Sequence, residues 1–138
     1  MTEARDVIEA DPHFEAEVPV AIIGAGAAGL TAALACRGAG VEPLVLERDA
    51  VPRGSTSLSA GLIPAPGTRF QRERGIADDA ETFAADIQKK AHGHADPALV
   101  ALVARNVAPA IEWLADAHAL PFSVVHDFDY PGHSNRRM

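Results

Sequence analysis

Three glycines, Gly24, Gly26 and Gly29, stand at the spacing G-x-G-x-x-G directly after an apolar run. This spacing suits a strand that ends beneath a pyrophosphate and continues into the N-terminus of a helix. Gly24 would allow the tight turn, Gly26 would let the backbone approach the phosphates, and Gly29 would let the helix lie close to the strand. The helix would begin at Ala27 and Ala28, where free N–H groups and the helix dipole favour an anion. The motif therefore predicts a dinucleotide-binding turn.

An acidic residue follows at the distance that such a turn requires. Residues 41–47 read as a second strand that ends in Glu47, 23 positions after Gly24. A carboxylate at about this distance accepts hydrogen bonds from the ribose hydroxyls of a bound dinucleotide. The apolar strand 18–23 and the helix-like run 27–39 complete a βαβ unit. The alternative is an ordinary βαβ unit in which Glu47 is a solvated side chain.

A second segment, residues 48–64, is rich in glycine, serine and threonine but also carries Leu58, Leu62 and Ile63. Its hydroxyls and free backbone N–H groups could wrap phosphates or the polar edge of a ring. The segment reads equally well as a surface loop built from turn residues. The residues alone leave both interpretations open.

The composition is that of a soluble globular protein, since 48% of the 138 residues are hydrophobic and 22% are charged. The length suits one domain. The formal net charge of −7 argues against nonspecific binding to nucleic acid or to an acidic membrane surface. No apolar run reaches the roughly 18 residues of a membrane span. The single cysteine, Cys36, excludes an internal disulfide and predicts a cytoplasmic location.

The first 17 residues hold six acidic side chains and one basic side chain. We interpret residues 1–17 as a mobile acidic leader. They lack the basic start and the apolar core of a signal peptide.

A helix is predicted after residue 77, capped by Asp78 or Asp79 and with Glu81 in the position that completes a capping box. Its apolar face consists of Phe83, Ala84, Ile87 and Ala91. His92 and His94 follow its end. Two histidines without a further ligand nearby make a poor metal site, so no metal is expected.

A second, longer helix is predicted to begin at Asp96 as N-cap, with Pro97 in its first turn. Its apolar face consists of Leu99, Leu102, Val103, Val107, Ile111 and Leu114. Pro109 should kink it, because proline removes one backbone hydrogen bond. Residues 121–125 read as a short strand.

The final segment, residues 127–138, is polar and rich in turn residues. His133, Arg136 and Arg137 lie close together in it. We interpret these three side chains as a solvated polar tail rather than as catalytic groups. The catalytic residues therefore stay unknown at this stage.

The motif 24–29, Glu47 and the loop 54–61 together resemble the N-terminal portion of the fumarate reductase/succinate dehydrogenase flavoprotein superfamily. This superfamily of FAD-dependent oxidoreductases includes the 3-ketosteroid dehydrogenases. The helical region 78–120 and the ending 130–134 resemble it as well. The second loop, at its distance from the first, selects this family, since the glycine motif alone is common to many.

The resemblance implies FAD as the cofactor. The glycine motif and Glu47 would bind its ADP half, and the second loop would line the diphosphate and the flavin. In the membrane-bound members a histidine of this loop holds FAD covalently, and Ser55 stands there in this chain, so we expect noncovalent FAD. The implied cofactor-binding residues are Gly24, Gly26, Ala27, Ala28, Gly29, Glu47, Arg48, Ser55, Thr56, Ser57, Ala60 and Gly61.

We therefore expect an α/β fold, in which a Rossmann-like βαβ FAD-binding unit is followed by a helical segment. Residues 18–68 would form the FAD-binding unit with its second flavin loop. Residues 69–138 would form the helical segment that leads to the start of a truncated substrate or cap domain. Family members are several times longer, so the parallel sheet should be incomplete and its faces partly uncovered. Such a surface predicts self-association or a companion chain.

The expected function is the N-terminal FAD-binding part of a flavin-dependent oxidoreductase. Such an enzyme transfers hydride between the flavin and a substrate carbon next to a carbonyl or carboxylate, or an activated alkene. A small-molecule substrate is expected only if the missing half is supplied. The alternatives are a non-catalytic nucleotide-binding subunit or truncated remnant, and a small NAD-dependent Rossmann enzyme. Against the last stands the lack of a convincing Tyr-x-x-x-Lys pair and of a second βαβ half.

Overall fold

The computed structural model describes residues 16–137, which form two compact units, one up to Gly61 and the other from Leu62. The predicted acidic leader lies almost entirely outside the described residues. The division between the units precedes the predicted domain boundary at residue 68. The domain assignment itself stays a prediction.

The first unit contains the predicted βαβ arrangement. Strand β1 (Val20–Ile23), helix α1 (Ala27–Gly38) and strand β2 (Pro43–Leu46) follow one another along the chain. The strands pair in parallel along their whole length, with Ile23 opposite Leu46. Both strands therefore end at the same edge of the sheet, and α1, which packs against both, begins there. The predicted α/β class is confirmed.

Strand β2 begins at Pro43, two residues later than the sequence predicts. The reason lies at the end of α1, where Gly40 adopts a φ of +75°. The Val41 N–H donates to the carbonyl of Cys36 at 2.9 Å and so closes the last turn of α1. Because this N–H is already paired, Val41 does not join the strand ladder.

One face of this two-stranded sheet is uncovered. The alternating pattern places Ile22 and Val45 half-buried and turns Ile23, Leu44 and Leu46 outward. Ile23 is 81% exposed, although it ends a strand of four apolar residues. The exposed face agrees with the incomplete parallel sheet that the sequence predicts.

The chain after β2 forms one helical turn, α2 (Ser55–Leu58), inside the segment that the sequence left open as loop or ligand contact. Gly54 precedes this turn with a φ of +100°, a left-handed conformation that favours glycine. Leu58 is 87% exposed, so the turn has no apolar anchor of its own.

The second unit is helical, as predicted. It consists of the short α3 (Arg69–Arg72), α4 (Ala80–Lys90) and α5 (Pro97–His118), and α4 packs against α5. The buried apolar side chains of this unit are Ala65, Phe83, Val100, Ala104, Ala108, Ile111, Leu114 and Val124.

The helix N-termini follow the predicted caps with one correction. The Asp79 carboxylate accepts from the Thr82 N–H at 2.7 Å and caps α4, and Asp96 caps α5 with Pro97 in the first turn. The capping box predicted from Asp78 and Glu81 is wrong. Asp78 stands one residue too early to cap α4, and its carboxylate is taken up by other partners.

The buried face of α5 also differs from the prediction. Ile111 and Leu114 are buried as expected, but Leu99, Leu102 and Val103 are 61%, 59% and 51% exposed. The helix carries two apolar stripes, and the one that is buried contains two alanines. Small side chains allow the helix axes to approach closely, so this stripe forms the core contact.

Helix α5 runs through Pro109 without interruption. Among the described residues it is the one helix that is long and apolar enough to cross a membrane by length and composition. Five of its side chains are buried in the helical unit.

The strand predicted at residues 121–125 is wrong. This segment is irregular, and Val124 is only 1% exposed. Within residues 16–137 the only strands are β1 and β2, which belong to the other unit. The apolar side chains here fill the core of a helical unit without a neighbouring strand to pair with.

Candidate cofactor-binding site

The glycine motif forms a tight turn between β1 and α1. Gly24 has a φ of +99°, and its N–H donates to the carbonyl of Leu46 at 2.7 Å, which ties the ends of both strands together. A Cβ at Gly29 would stand 1.9 Å from the Gly24 carbonyl oxygen and 3.2 Å from the Ile22 side chain. Position 24 therefore requires glycine because of its backbone conformation, and position 29 requires glycine because helix and strand approach closely there.

Gly26 differs from the other two glycines of the motif. Its φ of −79° suits any residue, and a Cβ there would lie 3.5 Å from the Thr56 hydroxyl, an ordinary contact. The fold therefore accepts a side chain at this position. A requirement for glycine at Gly26 would come from a ligand and not from the chain itself.

Glu47 lies beside this turn, as the 23-residue spacing predicts. Its carboxylate accepts from the Ala25 N–H at 2.8 Å and from the Asp49 N–H at 3.1 Å. These two hydrogen bonds, that from Ala25 above all, hold the pKa of Glu47 below its ordinary value. The side chain is therefore ionised near neutral pH and fixed at the edge of the sheet where both strands end.

The second loop reaches the same place through Thr56. The Thr56 hydroxyl oxygen accepts from the N–H of Ala27, the first residue of α1, at 3.0 Å. The hydrogen of this hydroxyl stays available as a donor toward an anion at the helix N-terminus. The N–H groups of Ala28 and Gly29 have no acceptor four residues earlier inside the helix. Three donors are thus available at the start of α1.

Other predicted residues of the second loop make no hydrogen bond to the glycine turn among the described residues. The Ser57 hydroxyl donates to the carbonyl of Gly54 at 3.0 Å and is used locally. Arg48 is 90% exposed and pairs with the neighbouring Asp49 at 3.5 Å. Among the described residues no hydrogen bond joins Ser55, Ala60 or Gly61 to the glycine turn. Their roles stay predictions.

These residues fit the ADP half of a dinucleotide such as FAD. The donors at the start of α1 match a pyrophosphate, and the ionised Glu47 beside them matches ribose hydroxyls. A Cβ at Gly26 would lie 3.5 Å from the Thr56 hydroxyl, so the glycine leaves the backbone uncovered beside these groups. The fit depends on the chemistry of the donors and acceptors.

The second unit contains a buried ionic cluster that the sequence did not predict. Arg137 is only 5% exposed. Its guanidinium donates to the Asp78 carboxylate at 2.6 and 2.8 Å and to the Asp86 carboxylate at 2.7 Å. Ser134 also donates to Asp86, from both its N–H and its hydroxyl. The interpretation of Arg137 as part of a solvated tail is therefore wrong.

The two carboxylates of this cluster are held ionised. Burial by itself raises the pKa of Asp78, but hydrogen bonds from Arg137, Gln71 and Asn135 outweigh burial and leave that pKa below its usual value. Burial likewise opposes the lowering at Asp86, where Ser134 and Arg137 prevail. A signal existed in the sequence, because Asp86 falls on the apolar face of α4 between Phe83 and Ile87. A carboxylate in such a place needs a buried partner.

His133 belongs to the wall around this cluster. Its ring meets Phe83 edge-on at 6.1 Å and lies against Tyr130 at 4.9 Å. Its Nδ1 atom is buried and has no hydrogen-bond partner among the described residues. Burial lowers the pKa of His133, and the positive charge of Arg137 lowers it further. The imidazole is therefore neutral at neutral pH.

Comparisons with known proteins agree with the geometry of the first unit. The sequence profile of a family described as FAD binding domain matches residues 19–137. The NADH:fumarate oxidoreductase of Klebsiella pneumoniae (strain 342) is 37% identical over 97 residues, which are 70% of this chain and 10% of that protein.

Two solved structures share the fold of the chain. The open conformation of a flavocytochrome c3 fumarate reductase matches with a TM-score of 0.74 and 29% identity over 87% of this chain and 21% of the other. The 3-ketosteroid-Δ4-(5α)-dehydrogenase of Rhodococcus jostii RHA1 matches with a TM-score of 0.72 and 28% identity over 81% of this chain and 23% of the other.

The chain thus spans between a tenth and a quarter of the length of these proteins. The matched part includes the glycine turn, Glu47 and the second loop. The resemblance stated from the sequence is confirmed, and with it FAD as the cofactor of the family. The chain belongs to the FAD-binding domain family of fumarate reductase-like flavoproteins and corresponds to its N-terminal FAD-binding part.

Proposed function

We propose that this chain binds the ADP half of FAD for a flavin-dependent oxidoreductase. The observation that carries the proposal is the convergence at the start of α1. The Thr56 hydroxyl meets the Ala27 N–H at 3.0 Å, and the Glu47 carboxylate meets the Ala25 N–H at 2.8 Å. Two loops that are 29 and 22 residues away along the chain thus meet at one helix N-terminus.

The proposed roles follow from the atoms available. The N–H groups of Ala28 and Gly29 and the Thr56 hydroxyl donate to pyrophosphate oxygens. The Glu47 carboxylate accepts from the adenosine ribose hydroxyls with the lone pairs that Ala25 and Asp49 leave free. FAD, when bound, supplies an isoalloxazine ring that accepts or returns a hydride. We assign this hydride to a substrate carbon next to a carbonyl or carboxylate, or to an activated alkene.

Titration of the purified chain with FAD, ADP, FMN and NAD tests the proposal. We expect saturable binding of FAD and ADP, seen by calorimetry, and weak binding of FMN, which lacks the adenosine. Glu47→Gln should weaken the binding of FAD and of ADP by at least about tenfold, because the charged acceptor for two ribose hydroxyls is lost. FMN binding should not change in this variant. Equal FAD affinity in the variant and the wild type would contradict the ribose assignment.

The same titration, together with a dye-linked assay of substrate turnover, separates the alternative functions. Preferred binding of NAD over FAD would favour a small NAD-dependent enzyme. Binding of FAD without any dye-linked oxidation or reduction of substrate favours a non-catalytic nucleotide-binding module.

We further propose that FAD is held noncovalently. The second loop carries no histidine between residues 48 and 64, and the exposed residue at the expected attachment position is Ser55. Precipitation with acid should release all flavin into the supernatant. Flavin that stays with the protein pellet would contradict this proposal.

We also propose that the open sheet face binds a polypeptide, either a second copy or a companion chain with the remainder of a flavoprotein. Ile23, Leu44 and Leu46 form this face and are 81%, 41% and 47% exposed. Contiguous apolar side chains of this kind mark association surfaces. Sedimentation velocity of the purified chain should show self-association that Leu44→Lys reduces. A monomer across the micromolar range would refute self-association through this face.

A further inference from the structure

We propose that the helical unit holds a binding site for a small ligand with an oxyanion group, a carboxylate or a phosphate. The site is a cavity of about 610 Å³ next to the buried ionic cluster. Its polar lining includes Arg74, His126, Asp129, Tyr130, His133 and Arg136. This inference does not depend on FAD binding, because no residue of the cofactor site takes part.

The lining is basic although the chain is acidic. Arg74 and Arg136 carry two positive charges, and Asp129 carries the one carboxylate of this lining. That carboxylate pairs with Arg136 at 2.6 Å. The guanidinium of Arg74 has no hydrogen bond or ion pair to any residue in the described part of the chain. His126 lies 2.5 Å from the Asp127 carboxylate, and His133 is neutral. In a chain of net charge −7, the guanidinium of Arg74 is therefore the group of this lining that offers a positive charge to an anion.

The wall of the cavity is fixed before any ligand arrives. His133, Ser134 and Asn135 line it, and the last two are anchored from behind. Ser134 donates to Asp86 at 2.9 and 2.5 Å, and Asn135 donates to Asp78 at 2.9 Å. Both carboxylates are in turn bound by the buried Arg137. A preorganised wall lowers the entropy cost of binding.

His133 contributes an aromatic ring to the wall of the cavity. Its Nδ1 atom is buried without a partner among residues 16–137, and its ring is wedged between Phe83 and Tyr130. Because Nδ1 is buried, the other atoms of the ring line the cavity. The size of the cavity lies in the usual range of about 300 to 1,000 Å³ for small-molecule sites. Arginine offers the planar donors that carboxylates and phosphates prefer.

The test is an NMR titration of the full chain with inorganic phosphate and, separately, with malonate, at constant ionic strength set with chloride. We expect saturable shifts of the His133 and Tyr130 resonances with one of the two anions, and the tighter one assigns carboxylate or phosphate. Arg74→Gln should weaken this binding by about tenfold or more, because it removes a charge-assisted pair. The matched control is Arg105→Gln, which removes the same charge from α5 outside the cavity.

The proposal fails if neither anion produces saturable shifts at tens of millimolar, or if Arg105→Gln weakens binding as much as Arg74→Gln. The second result would mean general screening by anions and no site. Arg74 is exposed, so the variant should fold, and its circular dichroism spectrum checks this. If the anion proposal fails, the proposal of FAD binding still stands, because FAD binding is measured by a different signal in the other unit.

Discussion

Gly29→Ala tests most sharply why the glycine turn has its sequence. An alanine Cβ there would stand 1.9 Å from the Gly24 carbonyl oxygen, whereas real Cβ atoms essentially never come closer than 3.0 Å. The backbone must therefore retreat by at least about 1.1 Å. Ile22 lies 3.2 Å away on the same side, so α1 has to move off the sheet as a whole. Overpacking of this kind costs about 1–3 kcal/mol, against about 1 kcal/mol gained from alanine in a helix.

Gly38→Ala is the matched control within the same helix. No atom lies within 4 Å of a Cβ at Gly38, so the substitution meets no clash. It should leave stability unchanged or raise it by up to about 1 kcal/mol. The two variants thus replace the same residue type in one helix, and their effects should have opposite signs.

Amide hydrogen exchange of α1 is the assay, since it reports this helix without requiring the two units to unfold together. We expect exchange in Gly29→Ala to be faster by about 10-fold, which corresponds to a net loss of about 1.4 kcal/mol. Exchange in Gly38→Ala should be equal to or slower than in the wild type. Equal protection of α1 in Gly29→Ala and in the wild type would refute the close helix–strand contact.

Three further predictions follow from the hydrogen bonds described above. Arg137→Met should lower the free energy of unfolding of the helical unit, measured with urea, by about 3–5 kcal/mol, because two buried carboxylates lose their cation. Arg136→Met removes one partner of an exposed ion pair and should have no measurable effect. Equal effects of the two variants would refute the buried cluster. Because the pKa values of Asp78 and Asp86 are lower in the folded state, their ionisation stabilises that state above about pH 4, and this stabilisation is lost as the pH falls through the lowered values. The fluorescence of the single tryptophan should therefore report acid unfolding below about pH 4. Unchanged stability at pH 2 would contradict this. Thr56→Val should weaken FAD binding, measured by calorimetry, about fivefold, whereas Thr56→Ser should not, because serine keeps the hydroxyl group and valine lacks it. Equal loss of affinity in both variants would point to packing instead.

The first unit could be predicted from the sequence because its signals are local. The glycine spacing, the apolar strand before it and the acid after it each depend on neighbouring residues. The structure places Glu47 2.8 Å from the turn, as the spacing implies. The contact of Thr56 with Ala27 could not be derived, because the loop after Glu47 has no periodicity that fixes its path.

The second unit was predicted in its helices and caps but not in its tertiary contacts. On α5 the larger side chains Leu99 and Leu102 suggested the buried face, whereas the alanines that allow close helix approach form it. The position of Arg137 depends on two aspartates 59 and 51 residues earlier in the chain. No local pattern reveals a contact over that distance, and only Asp86 on an apolar face hinted at it.

Binding of FAD to Gly26→Ala decides whether the pyrophosphate lies at the glycine turn. The fold accommodates this methyl group, because its nearest neighbour is the Thr56 hydroxyl at 3.5 Å and the backbone φ is −79°. We expect the circular dichroism spectrum and the amide exchange of α1 to be unchanged. FAD affinity should fall by at least about tenfold, because the methyl group occupies space that the pyrophosphate needs. A folded Gly26→Ala variant that binds FAD as tightly as the wild type would contradict the placement of the pyrophosphate at this turn.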